Sequence, residues 1–465
     1  MRWIQRLVPC MVLACGCALG DGDALPTQDE VLEPIAWTQG PPPLPDATIR
    51  GFRDYRGIVH LHSHHSHDAC DGNPQPGGVP DEDCLQDLRD GLCSSRIDVA
   101  FLSDHPAHSQ EASFEDLLLL RGEDDPILGS SGTAVANRMQ CADGHSVLVL
   151  PGVESDSMMV LGLQDHLSTG YGGDKAAYQA ARDEGAVAWI AHTEERNVDH
   201  LKTLGLHGVE LYQLHANLDP GIREEFLGLG GLDYLGELTP FFFPDEDVIP
   251  PHGDLAPLGF IVPNEPSIRA VEELGQVQRI GISGGTDAHQ NVFNVEAPDG
   301  ERVDSYRRMM RWFTTRFRMQ GPLTPETTRA ALREGSTWIA FDGFGSPLGF
   351  DFLARSGDST VEMGEEVRWS EDLGLEVTLP TLDPRSPRAA TTPTITGRLY
   401  RAVKNRTLLH EWTGEALQWS VPGPGVYRVE VWITPRHLSP YLGDFVDDYI
   451  DRQVPWVYSG AIFVR

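Results

Sequence analysis

The feature that most constrains this chain is a recurrence. Short apolar runs each close on histidine, aspartate or glutamate, and stretches of helical pattern separate them. Gly57-Ile58-Val59-His60-Leu61-His62 is one such run. Ile97 to Leu102 leads into Ser103-Asp104-His105, and Ser146 to Leu150 leads into Gly152-Val153-Glu154. Ala186 to Ala191 ends on His192, Gly208 to Tyr212 follows, and Ile280 to Gly284 precedes Thr286-Asp287-Ala288-His289. Helical patterns around residues 174–184 and 198–204 lie between them. Such alternation predicts a parallel α/β fold over about residues 50–347. In βα barrels the C-terminal strand ends build the active site. Thr324-Pro325-Glu326 supplies the N-cap and first-turn proline of a further helix, and Gly335 ends it.

The residue types at these ends suit metal ions. His60 and His62, two apart on a strand, point to one face and can reach one ion. Asp287 and His289 repeat that spacing with an oxygen and a nitrogen. Nitrogen and carboxylate donors together suit Zn, Mn or Fe. So many imidazoles brought together without a cation would repel one another when protonated. His64, His65, His108, His145, His200 and His207 fall outside these positions and read as surface or supporting residues. Arg196, just past the His192 strand, reads as a surface ion pair before a phosphate clamp.

Five motifs in order carry a resemblance: His60-Leu61-His62-Ser63, Ser103-Asp104-His105, Pro151-Gly152-Val153-Glu154, Ala191-His192 and Thr286-Asp287-Ala288-His289. Over about residues 55–340 the chain resembles the polymerase and histidinol phosphatase (PHP) family. The resemblance implies a distorted barrel of seven βα units and a metal-dependent phosphoesterase, commonly with three ions. It implies that His60, His62, Glu154 and Asp287 hold one metal and form the catalytic set. Glu154 would bridge to a second ion completed by His192 and His215. His105 and His289 would hold a third, with a ligand from His67 or Asp68. The family often has Ser-Asp-Gly where this chain has Ser66-His67-Asp68, so both residues stay candidates. Two other readings compete. An amidohydrolase-type enzyme also opens with His-x-His but often bridges with a carboxylated lysine. A surface binding protein would keep the metal site as a structural or vestigial feature.

The rest of the chain sets the context. Arg2 and Arg6 precede an apolar stretch, Leu7 to Leu19, too short to span a bilayer. Val12-Leu13-Ala14-Cys15 and Ala14-Cys15-Gly16-Cys17 both resemble a bacterial lipobox. Residues 1–20 therefore read as an export signal. They predict a lipoprotein facing periplasm or cell surface, membrane-attached only by lipid. Residues 21–49, with Gly40-Pro41-Pro42-Pro43, read as an extended linker holding the body away from the membrane. Beyond the leader, Cys70, Cys84, Cys93 and Cys141 predict two disulfides with three possible pairings. Residues 216–270 interrupt the rhythm and read as an inserted lobe or lid. Residues 348–465 read as an all-β, sandwich-like domain. The net charge of −33 opposes nucleic acid, which needs a positive surface, and docking on anionic lipid by charge alone. The expected partner is a small-molecule or headgroup phosphoester.

Overall fold

The computed structural model describes residues 33–465 apart from Thr169. The signal and lipobox residues, including Cys10, Cys15 and Cys17, lie outside the described residues. The chain is mixed α/β. Strands Arg53–Ile58, Val99–Phe101 and Ser146–Leu150 lie side by side and parallel, with Gly57 opposite Val99 and Val99 opposite Leu148. Their β-branched and aromatic residues are buried, as both faces of a covered sheet require.

A second sheet runs Gly281–Gly285, Gly208–Gln213, Val187–Ile190, Met158–Leu161, Gly152–Ser155 in spatial order. The expected all-parallel arrangement fails at Met158–Leu161, which is antiparallel to both neighbours. Asp156 and Ser157 take φ of 50° and 65°, the left-handed pair of a two-residue hairpin turn. The chain therefore doubles back at once after Glu154. Single parallel bridges, Leu61 to Ala288 and Asp104 to Val153, tie the two sheets together at their histidine-bearing ends.

Three of the predicted helices form with the caps that their sequences supply. Lys175–Asp183 starts on the Asp174 carboxylate, Val198–Leu204 on Asn197, and Pro325–Glu334 on a Thr324 capping box, ending at Gly335. The 216–270 segment is largely helical. Phe241 and Phe242 are buried in its helix Tyr234–Phe242, and Phe241 meets Tyr449 with ring centroids 5.2 Å apart. The lobe thus packs on the C-terminal part of the chain.

The boundary at 347 is not a break in the sheet. Strand Thr337–Ala340 pairs antiparallel with Val454–Tyr458, which pairs with Gly425–Thr434. A 13-stranded sheet therefore crosses from the α/β body into the C-terminal part. Asp351–Ser356, Ser359–Glu362, Gly374–Thr378 and Ala416–Ser420 form a separate antiparallel sheet.

Residues 33–49 do not project as a tether. Ile35 bridges to Arg388, Trp37 stacks on His252 at 4.4 Å, and Arg311 lies 4.7 Å over the Trp37 ring. Arg307 Nη1 donates to the Gln39 carbonyl at 2.6 Å, and Arg56 donates to that of Pro42 at 3.3 Å. An extended proline-rich segment has no internal hydrogen bonds, so its carbonyls are free to satisfy buried guanidinium groups. Disulfides join Cys70 to Cys84 and Cys93 to Cys141, one of the three pairings the sequence left open.

Candidate metal centre

The site is assembled by backbone lacing between strand ends. Asp287 N and Thr286 Oγ1 donate to the His60 carbonyl, at 3.2 and 2.6 Å, and His62 N donates to the Ala288 carbonyl at 3.1 Å. The two i, i+2 pairs are thereby set edge to edge. His192 and Asp287 both take φ of 49°, a left-handed conformation that costs any residue but glycine some energy. Both are site residues. The surrounding fold holds them there.

Among the described residues, His60, His62, Glu154 and Asp287 form one group able to hold an ion. His60 Nε2 lies 3.0 Å from His62 Nε2, 3.0 Å from Glu154 Oε2 and 3.1 Å from Asp287 Oδ1. His192, His215 and Asp287 form a second group. Its His192 Nε2 is 3.5 Å from Glu154 Oε1, and His215 Nδ1 is 3.2 Å from Asp287 Oδ2. His62, Asp68, His105 and His289 form a third. Asp68 Oδ2 is 3.3 Å from His289 Nε2 and 3.6 Å from His105 Nε2. Of the candidates His67 and Asp68, Asp68 lies in one of these groups, whereas the His67 side chain is exposed and lies in none.

Hydrogen bonds decide which ring nitrogen is bare. His60 Nδ1–H donates to Glu210 Oε1 at 2.7 Å, His289 Nδ1–H to the Asp287 carbonyl at 2.8 Å, and His105 Nδ1–H to the Glu154 carbonyl at 3.1 Å. Ser66 Oγ gives its proton to Asp68 Oδ1 and so accepts from His62 Nδ1–H at 3.2 Å. In each ring Nε2 is left to face the centre, the arrangement that outer hydrogen bonds impose on metal-ligating histidines. Two Nε2 atoms 3.0 Å apart, ringed by carboxylates, must share either a proton or a cation.

The electrostatics agree. Burial works against an imidazolium at His60, yet Asp287, Glu210 and Glu154 outweigh it and raise its pKa well above the ordinary value. Burial would raise the carboxyl of Asp287, but His60 and His289 hold it well below the usual range. Burial likewise opposes charge on His215, and its bond to Asp287 overrides this to give about 9. The donor set, the burial of His60, His62, Glu154 and His289, and the orphaned His289 Nε2, which accepts and donates no hydrogen bond among the described residues, fit divalent ions.

Several supporting residues were missed by sequence reasoning. Glu210 accepts from His60 and, through Oε2, from the backbone N–H of His192 at 3.0 Å. Gly285 makes room for it: a Cβ there would lie 2.0 Å from Glu210 Oε1. The available signal was a lone acid inside the apolar run 208–212. Asp104 accepts from Ser63 N at 2.5 Å and Ser63 Oγ at 2.8 Å and so fixes the 62–68 loop. Tyr306 Oη donates to the His62 carbonyl at 2.9 Å. His64 and His65, read as surface or supporting, are buried and line a cavity of about 580 Å³ with His108 and Arg121.

No family model and no curated protein matches the chain. One solved structure that resembles it is a two-domain protein containing a predicted PHP-like metal-dependent phosphoesterase from Bacteroides vulgatus. It is 13% identical, covers 90% of this chain and 98% of its own, and has a TM-score of 0.40. A likeness that loose fixes neither fold nor activity for this chain.

Proposed function

We propose that the chain is a phosphoesterase that uses two or three divalent ions, Zn, Mn or Fe, to hydrolyse a small-molecule or headgroup phosphoester. The observation that carries this reading is the division of two carboxylates between ligand groups. Glu154 turns Oε2 to His60 and Oε1 to His192. Asp287 turns Oδ1 to His60 and His62, and Oδ2 to His192 and His215. Shared carboxylates are what a clustered set of ions needs. Such ions supply Lewis acidity toward a phosphoryl oxygen and an acidified water. The chain's own part is to fix the ligands: Glu210 orients His60, Ser66 orients His62, and backbone carbonyls orient His105 and His289. The amidohydrolase reading loses ground here, since Glu154 stands where a carboxylated lysine would bridge.

The bridges at Leu61–Ala288 and Asp104–Val153 support a distorted barrel. They would close strands 53–58, 99–101, 152–155, 158–161, 187–190, 208–213 and 281–285 into a ring of seven. We further propose export with a lipid anchor at Cys15 or Cys17, a setting in which two disulfides persist. The test is a panel of phosphomonoesters and diesters on metal-loaded full chain, with a chelator control. Turnover lost to chelator and restored by metal is expected. No turnover across the panel would remove the enzyme reading.

A further inference from the structure

The cavity of about 580 Å³ beside the 62–68 loop has its own chemistry. Its walls are that loop, residues 75–80 within the Cys70–Cys84 loop, and the segment from His108 to Arg121. The size suits a small molecule. None of the three ligand groups of the metal centre contributes a residue to the lining. The cavity is a neighbour of the centre and not part of it.

Its charges do not balance. Glu111, Glu115 and Asp116 line it, and Arg121 is the only lysine or arginine among the lining residues. Arg121 is already engaged. Its Nε and Nη2 lie 3.2 and 2.8 Å from the Glu82 carboxylate, which stands outside the lining, and its Nη1 donates to the Leu120 carbonyl at 2.9 Å. Asp116 accepts from Ser113 Oγ at 2.7 Å. The Glu111 and Glu115 side chains have no hydrogen-bond or ion-pair partner among the described residues.

Water serves exposed carboxylates well, so these alone mark no site. His64 is an independent sign. It is 2% exposed, it borders the cavity, and its side chain makes no hydrogen bond among the described residues. Its Nδ1 is sealed from solvent, which leaves Nε2 to serve a molecule in the cavity. A buried polar group without a partner is costly. His65, with its ring centroid 4.3 Å away, is engaged by contrast: Nε2–H donates to the Asp116 carbonyl at 3.3 Å and ties the loop to the opposite wall.

These groups fit a positively charged donor. A bare metal ion does not fit, since among the described residues no cavity residue belongs to a His, Asp and Glu group close enough to share one. An anion would meet two carboxylates without counter-charge. An ammonium group carries three N–H donors, enough for carboxylate and imidazole together, and its carbon body can lie on Ala112 and Leu120. We propose that this cavity binds a small primary amine in its ammonium form, with Glu111 and Glu115 as counter-charges and His64 as a further acceptor. Two sources carry that chemistry: a free amine, or the alcohol part of an amine-bearing phosphoester. Binding itself does not depend on the hydrolytic reading above; only the second source rests on it.

The experiment titrates ethanolamine calorimetrically into the full chain at fixed ionic strength, with acetate as the anionic control. One saturable equivalent is expected for ethanolamine and none for acetate. Glu111→Gln combined with Glu115→Gln, both at exposed positions, should weaken ethanolamine roughly tenfold or more. Glu123→Gln combined with Asp125→Asn removes two exposed acids outside the lining and should leave binding unchanged. Absence of saturable ethanolamine binding overturns the proposal. So does binding that the first pair of substitutions leaves intact, or that the second pair weakens equally. The two sources separate on metal-loaded protein given O-phosphoethanolamine and ethyl phosphate. A preference for the amine ester that the first pair abolishes through KM, with kcat retained, assigns the amine to the substrate. Equal turnover of both esters, with ethanolamine still bound, assigns a free amine. Failure of the phosphoesterase reading shows differently, as no turnover of either ester with ethanolamine binding intact.

Discussion

Asp254 is a fully buried carboxylate and Asp287 one whose side chain is 7% exposed; both are held below the usual carboxylate range, and they reach that state by opposite means. Asp254 accepts from Arg307 Nη2 at 2.6 Å, Arg308 Nη1 at 2.9 Å and Trp37 Nε1 at 3.1 Å. Among the described residues, no arginine pairs with Asp287. Its neighbours are His60, His62, His192, His215 and His289. A guanidinium is a permanent cation with a fixed fork of donors and no lone pair to offer. An imidazole can shed its proton and present a lone pair instead. The arginine cluster is therefore closed, its positive charge covalently built in, whereas the histidine cluster leaves the cation exchangeable. The same contrast disposes of the His252, Asp254 and Asp299 group as a metal site, although its donor atoms lie close enough for one. Arg307 and Arg308 already occupy the Asp254 oxygens.

The sharpest test of this contrast exchanges the consequences of losing each carboxylate. Asp287→Ala should abolish phosphoester turnover, by about a thousandfold or more if the ions supply several kcal/mol. Bound metal, read by mass spectrometry of the purified protein, should fall by more than one equivalent, while thermal stability changes little. If metal content survives Asp287→Ala, the shared-carboxylate reading is wrong.

Asp254→Ala should do the reverse. It leaves Arg311 buried without its counter-ion and Arg307 and Arg308 with only Glu301 and Asp299, at a cost of about 3–5 kcal/mol. Denaturant unfolding should show that loss, with metal per folded molecule unchanged. A variant as stable as wild type would show the arginine cluster to be incidental.

The Cys70–Cys84 disulfide sits next to Asp68, and Cys70 N donates to the His289 carbonyl at 3.0 Å. Replacing both cysteines by serine should cost about 3 kcal/mol, the entropy of a loop this short. It should also weaken metal at the Asp68, His105 and His289 group alone. Equal weakening at all three groups would mean that the disulfide supports the whole body.

The smallest effect is one of pH on the arginine side. Asp342 lies between Arg316 and Arg56; burial alone would raise its pKa, but the two cations bring it down to about 2. Its contribution is complete above the ordinary aspartate range and is lost as pH falls through about 2. That contribution is roughly 2 kcal/mol. Asp342→Asn should flatten this part of the acid-stability profile, and an unchanged slope would assign it to other groups.

Much of the site was legible because its signals are short. His60 with His62 and Asp287 with His289 need only strand periodicity to be placed on one face, and both pairs converge as expected. His105, Glu154, His192 and His215 also fall in the three groups. Asp68 and His67 could not be separated by spacing, since the loop turns between them and only one side chain faces inward. Glu210 was visible only as an acid in an apolar strand; its partner His60 is 150 residues away.

The division follows from the range of the forces concerned. Strand and helix periods and the caps at Asp174, Asn197 and Thr324 are set by neighbours a few residues apart. The sequence by itself determined those, and with them the kinds of ligand at each strand end. The hairpin after Glu154, the pairing of Cys70 with Cys84, the seating of residues 33–49 and the continuity of the large sheet past residue 347 were decided by the tertiary structure. So was the assignment of arginines to Asp254 and histidines to Asp287. Which cation a buried carboxylate meets depends on segments brought together from far apart, and burial makes that one contact count where solvent would have screened it.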